Sequence, residues 1–287
     1  MSEKEDVLEY YVSVLPYLTD FLRNKKIAVK NYIPDGVTLL KRGSELEPLY
    51  VEEIIKYADK KFFDVRKKIH HLDEARSRLN KQQIKIWQYF LPRKYSELFY
   101  ATNDEGVNKK IERIFIDIDR TERSLEEAGV VTLKLLDLIK KNNKFKSKIG
   151  KYKTLITFTG KSFHLYFLLK KPITKEIYNE LFANKENIFK NFCEEIKKEV
   201  KFDVVLGHIK TKEGINIDPS QTPSGKLARS PFSLHIAKDG KSIDGVTVPI
   251  NEKILQNKKT VGDLTSYTPE KILKEIKKLA KNIPSSY

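Results

Sequence analysis

In the run Ile114-Phe115-Ile116-Asp117-Ile118-Asp119 two carboxylates stand two residues apart in an otherwise apolar stretch. At the two-residue period of a β-strand both aspartates leave one face, while Ile114, Ile116 and Ile118 leave the other and anchor it. Two like charges that close repel unless a cation lies between them, and hard carboxylate oxygens suit Mg²⁺ or Mn²⁺ bound together with substrate phosphates. A strand ending in solvated aspartates would read the same, so the pair needs support from elsewhere in the chain. Asp218 offers it, ending the short apolar run Ile215-Asn216-Ile217. Three acids can hold two ions that activate a 3′-hydroxyl and stabilise an α-phosphate and a departing pyrophosphate. Asp203, in Phe202-Asp203-Val204, competes for the third place.

Thr159-Gly160-Lys161-Ser162-Phe163-His164 lies between two strand-like runs. A tight turn there can present backbone N–H groups, a hydroxyl, an ammonium and an imidazole to a triphosphate. It is not a P-loop, because the position where that motif needs its first glycine is Leu155. His164 alternates with Phe163, Leu165 and Phe167, which take the core side. Arg229 and the run Ser233-Leu234-His235 form a second loop-to-strand transition that can add phosphate contacts. His70 and His71 are adjacent and fall on different faces of a helix; with His208 they read as solvated side chains. Trp87 reads as core, and Cys193, the single cysteine, as a small buried hydrophobe rather than a nucleophile.

These groups need elements to hold them. Helical spacing of Val7, Leu8, Tyr11, Leu15, Leu18 and Leu22 predicts a first helix from about Lys4 to Arg23, with Pro16 placed to kink it. Ile27 to Tyr32 and Val37 to Lys41 read as a hairpin around Pro34-Asp35-Gly36. A helical pattern runs from Val51 to Tyr89 until Pro92 stops it, and Glu97 to Thr102 reads as a strand. Further on, Ile114 to Asp119 is a strand, Ser124 and Glu127 form a capping box for a helix to Lys141, and strands follow at Thr154 to Thr159 and His164 to Leu169. A long helix over Lys175 to Val200, strands at Ile215 to Asp218 and Ser233 to Ala237, and a helix over Pro269 to Ala280 complete the order. Strands and helices mixed without strict alternation predict an α+β sheet backed by helices. The division expected is an N-terminal helical and hairpin module over 1–95 and a catalytic core over 96–287, working as one unit.

Lys and Arg outnumber Asp and Glu by 55 to 39 in 287 residues, a formal charge of +16. That excess favours a polyanion bound through phosphate contacts, although a lysine-rich or heat-adapted surface produces it too. No apolar run reaches the roughly 18 to 20 residues that cross a bilayer, and the polar start lacks the pattern of a secretory signal, so no membrane partner and a cytoplasmic, nucleoid-associated location are expected. One cysteine can build neither an internal disulfide nor a cysteine-rich zinc site.

The ordered set FIDID, TGKSFH, IDPSQ and RSPFSLH resembles the archaeo-eukaryotic primase superfamily, which carries an Asp-x-Asp strand, a Ser-Gly-x-Gly-x-His turn and a third aspartate. Here Thr159 stands for the serine and Ser162 for the second glycine. The N-terminal half resembles the polymerase domain of bacterial ligase D and its stand-alone archaeal relatives in non-homologous end joining, through Leu8-Glu9-Tyr10-Tyr11 and Pro34-Asp35-Gly36-Val37. That family places an aromatic pair before a lysine; this chain has Leu39 and Leu40 before Lys41. The stretch from Asp218 through Gln221 to Pro231-Phe232-Ser233 is similar to ligase D and favours Asp218 over Asp203, whereas Ser233-Leu234-His235 is more like primase small subunits.

The resemblance implies a primase-type core with an RRM-like mixed sheet joined to an N-terminal α/β module. It implies a polymerase or primase acting on a DNA template with primer or broken ends and nucleoside triphosphates, with a ligase and end-binding protein, or a primase large subunit, as partners. Asp117, Asp119 and Asp218 are expected to hold two Mg²⁺ or Mn²⁺ ions, without zinc. Thr159, Lys161, Ser162, His164, Arg229, Ser233 and His235 are expected on the nucleotide, and Lys30, Lys41 and Gln221 on nucleic acid. Two other classes fit parts of the pattern. Asp117-Ile118-Asp119-Arg120-Thr121 matches the Asp-x-Asp-x-Thr motif of haloacid-dehalogenase-like phosphatases, and a noncatalytic nucleic-acid-binding relative would keep the basic surface alone.

Overall fold

The computed structural model describes residues 6–43, 46–104, 110–207 and 213–287. His208 and the Lys4 end of the first expected helix lie outside these residues. Helix α1 (Val7–Val14) starts where Asp6 accepts a hydrogen bond from the Leu8 amide at 3.1 Å. Pro16 then shortens the helix more than a kink would: the chain tightens to a 3₁₀ turn over Leu15–Tyr17. Strands β1 (Ile27–Tyr32) and β2 (Thr38–Lys41) form the expected hairpin.

The helical pattern expected over Val51 to Tyr89 is four helices: α2 (Val51–Tyr57), α3 (Lys60–Lys68), α4 (Leu72–Ala75) and α5 (Lys81–Tyr89). The cause is local capping. Asp59 accepts from the Phe62 amide at 2.8 Å, and Asn80 with Gln83 forms a capping box, so polar residues inside one apolar repeat start new helices. Trp87 is fully buried, with the guanidinium groups of Arg66 and Arg93 lying over its ring. Strand β3 (Tyr95–Ala101) pairs antiparallel with β1.

The second lobe is built around β4 (Ile111–Asp119), followed by α6 (Leu125–Lys141), α7 (Asn143–Ile149) and the hairpin β5 (Tyr152–Phe158) and β6 (Phe163–Ile173). The expected helix over Lys175 to Val200 divides into α8 (Lys175–Tyr178), a π turn over Asn179–Ala183, and α9 (Ile188–Val200), which Asn187 caps afresh by accepting from the Lys190 amide. Short strands follow: β7 (Val204–Leu206), β8 (Ile215–Asp218), β9 (Leu227–Arg229), β10 (Leu234–Ile236), β11 (Ile243–Val246) and β12 (Val248–Ile250). Helices α10 (Glu252–Leu255), α11 (Lys258–Asp263) and α12 (Pro269–Leu279) end the chain.

The larger sheet has the order β12-β5-β6-β4-β8-β7, antiparallel except for β7 beside β8. The smaller runs β2-β1-β3-β9, and β10-β11 forms a separate ribbon. Strand β9 comes from the second half of the chain but completes the first lobe's sheet. One apolar core runs through both lobes, with Ile114, Ile116 and Ile118 fully buried in it beside the apolar stripe of α6. Among the described residues no helix is long and apolar enough to cross a membrane.

Candidate active site

Strand register assembles the first half of the site. Asp117 of β4 lies opposite His164 of β6 on one side and opposite Asp218 of β8 on the other. Cross-strand partners share a sheet face, so these three side chains form a row, and Asp119 begins the next row with Asn216 opposite it. Asp203, the competing third acid, is outside both rows: its carboxylate is half exposed and paired with Lys197 at 2.8 Å, which holds it below its usual range.

His164 is oriented by a relay. Its Nδ1 is 3.2 Å from the Tyr166 hydroxyl, whose proton goes to the Arg229 carbonyl at 2.7 Å. Tyr166 therefore accepts from Nδ1–H, and Nε2 faces the Asp117 carboxylate at 3.3 Å. Burial pushes the Tyr166 phenol well above its ordinary range, which keeps it a donor. The two acids of the row differ in exposure. Asp218 is 5% exposed and accepts from the Ser220 amide at 2.9 Å, while the Asp117 side chain is 40% exposed.

Asp119 accepts from the Thr121 amide at 3.3 Å, and the Thr121 hydroxyl donates to the Gly214 carbonyl at 2.7 Å. The Asn216 Oδ1 is buried without a hydrogen-bond partner, as is the Thr157 hydroxyl opposite His164 at the other end of the first row. Among the described residues no three His, Cys, Asp or Glu side chains converge tightly enough to hold a metal ion. The donor chemistry nevertheless fits one: two carboxylates adjacent in register on one sheet face, a third beside them, and an orphaned amide oxygen are hard oxygen ligands.

The second half is the turn between β5 and β6. The Thr159 amide donates to the Ser162 carbonyl at 2.8 Å and the Thr159 hydroxyl accepts from the Ser162 amide at 3.0 Å, with Gly160 at φ +99°. The Ser162 hydroxyl donates to the Ile118 carbonyl, so it ties the turn to the aspartate strand. Arg120 adds a second tie, donating to the Lys161 carbonyl at 2.7 Å. A β-carbon on Gly245 would lie 2.7 Å from the Gly160 Cα, so ribbon β10-β11 docks directly on the turn. From that ribbon Asp244 pairs with Lys161 at 2.9 Å and with the His235 Nδ1. Burial, then the Arg229 charge, lowers the His235 pKa below its ordinary value.

Arg229 is paired with buried Glu97 at 3.0 Å, donates to the Leu234 carbonyl at 2.9 Å and lies over the Phe99 ring. Ser233 is fully buried; its hydroxyl accepts from the Leu98 amide at 2.8 Å and braces the segment. Tyr10 and Tyr11 of α1 clamp this segment, Tyr10 donating to the Phe232 carbonyl at 2.8 Å and Tyr11 accepting from the Leu234 amide at 3.2 Å. Register separates the two hairpin lysines. Lys30 opposes Leu40 and Glu97, on the face that carries Arg229, whereas Lys41 opposes core Val29 on the other face. Gln221 is half-buried beside Thr222, whose hydroxyl is fastened to both backbone groups of Phe115.

The sequence reading missed Tyr166, Glu97, Asn216 and Asp244. Tyr166 was open to detection, since it stands two residues from His164 on the same strand face; Glu97 was a lone charge in an apolar strand. Asp244 carried no local signal.

No family model matches the sequence, and no curated protein matches it. Among solved structures the chain is similar to the polymerase domain from Mycobacterium tuberculosis ligase D in complex with DNA, at 15% identity and a TM-score of 0.55, over 98% of this chain and 93% of that one. The α+β architecture described above is thus the fold of that polymerase domain.

Proposed function

We propose that this protein is a metal-dependent nucleotidyltransferase that extends a 3′-hydroxyl on a DNA template. The observation that carries the reading is the row His164-Asp117-Asp218, placed by register across three adjacent strands beside a turn and ribbon rich in cations. Asp117, Asp119 and Asp218 would hold two Mg²⁺ or Mn²⁺ ions. When bound, such ions supply charge neutralisation at the triphosphate and lower the pKa of the attacking hydroxyl.

The chain's own groups bind and orient. Lys161, Arg229 and His235 hold the triphosphate, and His164 keeps its Nε2 on the Asp117 side through Tyr166. The 3′-hydroxyl gives up its proton to water, its oxygen bonds to the α-phosphorus, the bond from that phosphorus to the bridging oxygen breaks, and pyrophosphate leaves. Thr159, Ser162 and Ser233 serve as struts for these groups, while Lys30 and Gln221 are placed for nucleic acid.

A role in DNA end joining is favoured over replicative priming by the sequence likeness from Asp218 to Ser233 and by a single cysteine, which cannot build a cysteine-rich zinc cluster. A phosphatase would use Asp117 as nucleophile and leave His164 and Asp218, its two neighbours in register, without a task.

Primer extension on unprimed strands, primed templates and broken ends bearing a 5′-phosphate, each with ribo- and deoxynucleotides, tests the reading. Extension of primed or broken ends is expected, and replacing both Asp117 and Asp119 by Ala should abolish it while circular dichroism stays unchanged. Retained incorporation in that variant would overturn the assignment, and priming on bare strands would overturn the end-joining preference.

A further inference from the structure

We propose that Asp244 is the built-in counter-anion of the polyphosphate site, a positioning residue that holds Lys161 and His235 until nucleotide phosphate displaces it from the lysine. The inference rests on the nucleotidyltransferase reading and assigns that site a further residue.

Asp244 uses both carboxylate oxygens on the site's cations, Oδ2 on the Lys161 ammonium at 2.9 Å and Oδ1 on the His235 Nδ1. It cannot drift from them. The next residue, Gly245, is packed so closely on Gly160 that no side chain fits at 245, and Gly160 is the residue before Lys161. The far end of the ribbon is pinned as well, where Lys241 pairs with Asp35 at 2.6 Å and the Asp35 amide donates to the Asp239 carbonyl at 3.1 Å. Backbone docking, more than a flexible ion pair, therefore sets the carboxylate beside the turn.

The two contacts differ in kind. The Lys161 ammonium is half exposed on a flexible stem and can swing to a phosphate; the His235 ring is mostly buried and stays. With its Nδ1–H donated to Asp244, His235 leaves Nε2 open, and Nε2 donates to a phosphate oxygen once the ligand's negative charge favours its protonation. The carboxylate thus competes for the lysine ammonium and orients the imidazole. An asparagine at 244 would keep an acceptor for His235 and remove the competing charge, whereas alanine would remove both.

The test is calorimetric binding of ATP and of inorganic tripolyphosphate, each with magnesium, to the full chain. An exposed pair of this kind is worth little, so Asp244→Asn should tighten both ligands only about two- to fivefold. Asp244→Ala should gain less than Asp244→Asn, because His235 loses its orientation. In extension assays the Asn variant should lower KM for nucleotide more than it changes kcat. Asp244→Asn binding that is unchanged or weaker, with the wild-type chain binding normally, would overturn this inference and leave the enzymatic reading standing. A wild-type chain that binds neither ligand and extends no primer overturns both. Circular dichroism confirms that each variant is folded before its affinity is compared.

Discussion

The carboxylate row and the cation cluster meet at the β5-β6 turn but are made in opposite ways. Asp117, His164 and Asp218 sit on β4, β6 and β8, and each is placed by strand register alone. Lys161, Arg229 and His235 sit on a turn, the short strand β9 and a ribbon, and each is held by an acid: Asp244 for the first and last, Glu97 for Arg229. A row on central strands needs no counter-ions to keep its geometry, because the ladder keeps it. A cluster on loops needs acids to stop its cations from repelling one another, and those acids then compete with any anionic ligand.

The largest effect should separate the row from the acids outside it. Asp218→Asn is expected to cut nucleotide incorporation by about a thousandfold or more, some ~4 kcal/mol in the barrier. Asp203→Asn, which loses only an exposed pair with Lys197, should leave incorporation within about a factor of two. Primer extension on the two variants decides it, and equal losses would mean that the row is not the reacting centre.

In the cluster the same kind of change should be read in stability first. Arg229→Ala leaves the Glu97 carboxylate buried without its charge partner and removes a donor from the Leu234 carbonyl. Breaking such a pair costs about 3 kcal/mol, observable as a lower denaturant midpoint with an unchanged slope. A variant as stable as wild type would show that the cluster is less tightly charge-balanced than the distances imply.

This contrast also explains what could be read from the sequence. The Asp117 and Asp119 pair, its isoleucine backing, the β5-β6 turn and the hairpin β1-β2 were legible because each is a local pattern of period two bounded by turn residues. That Asp218 belongs in the row came from a resemblance, since nothing local distinguishes it from Asp203. The four-way division of α2 to α5 was missed because caps at Asp59 and Asn80 interrupt a repeat whose apolar spacing continues through them. Strands β7, β9 and β12 have three residues each, too few to show a period, and β9 and β12 pair with strands far away in the sequence. Lys30 and Lys41 looked equivalent until register put them on opposite faces. Ser233 resembled a ligand-binding serine, yet the Leu98 amide claims its hydroxyl.

The smallest effect concerns pH, and it has opposite signs in folding and binding. Burial and the neighbouring Arg229 and Lys161 charges lower the His235 pKa, against the upward pull of Asp244 and Glu97, so the folded chain takes up this proton less readily than the unfolded one. Between the ordinary value of 6.5 and the depressed folded one, the unfolded state binds more protons. Stability from this group is therefore fully present above about 6.5 and is lost as pH falls through the folded value. A polyphosphate adds negative charge beside the imidazole and favours its protonated form, so affinity for it should rise over the same descent. Denaturant titrations of wild type and His235→Gln should coincide above this window and diverge below it, with wild type losing more. Tripolyphosphate affinity should strengthen on acidification in wild type and change less in the variant. Parallel stability curves for the two proteins would show that His235 does not titrate differently on folding, and the cluster would then owe its balance to Arg229, Lys161 and their two acids alone.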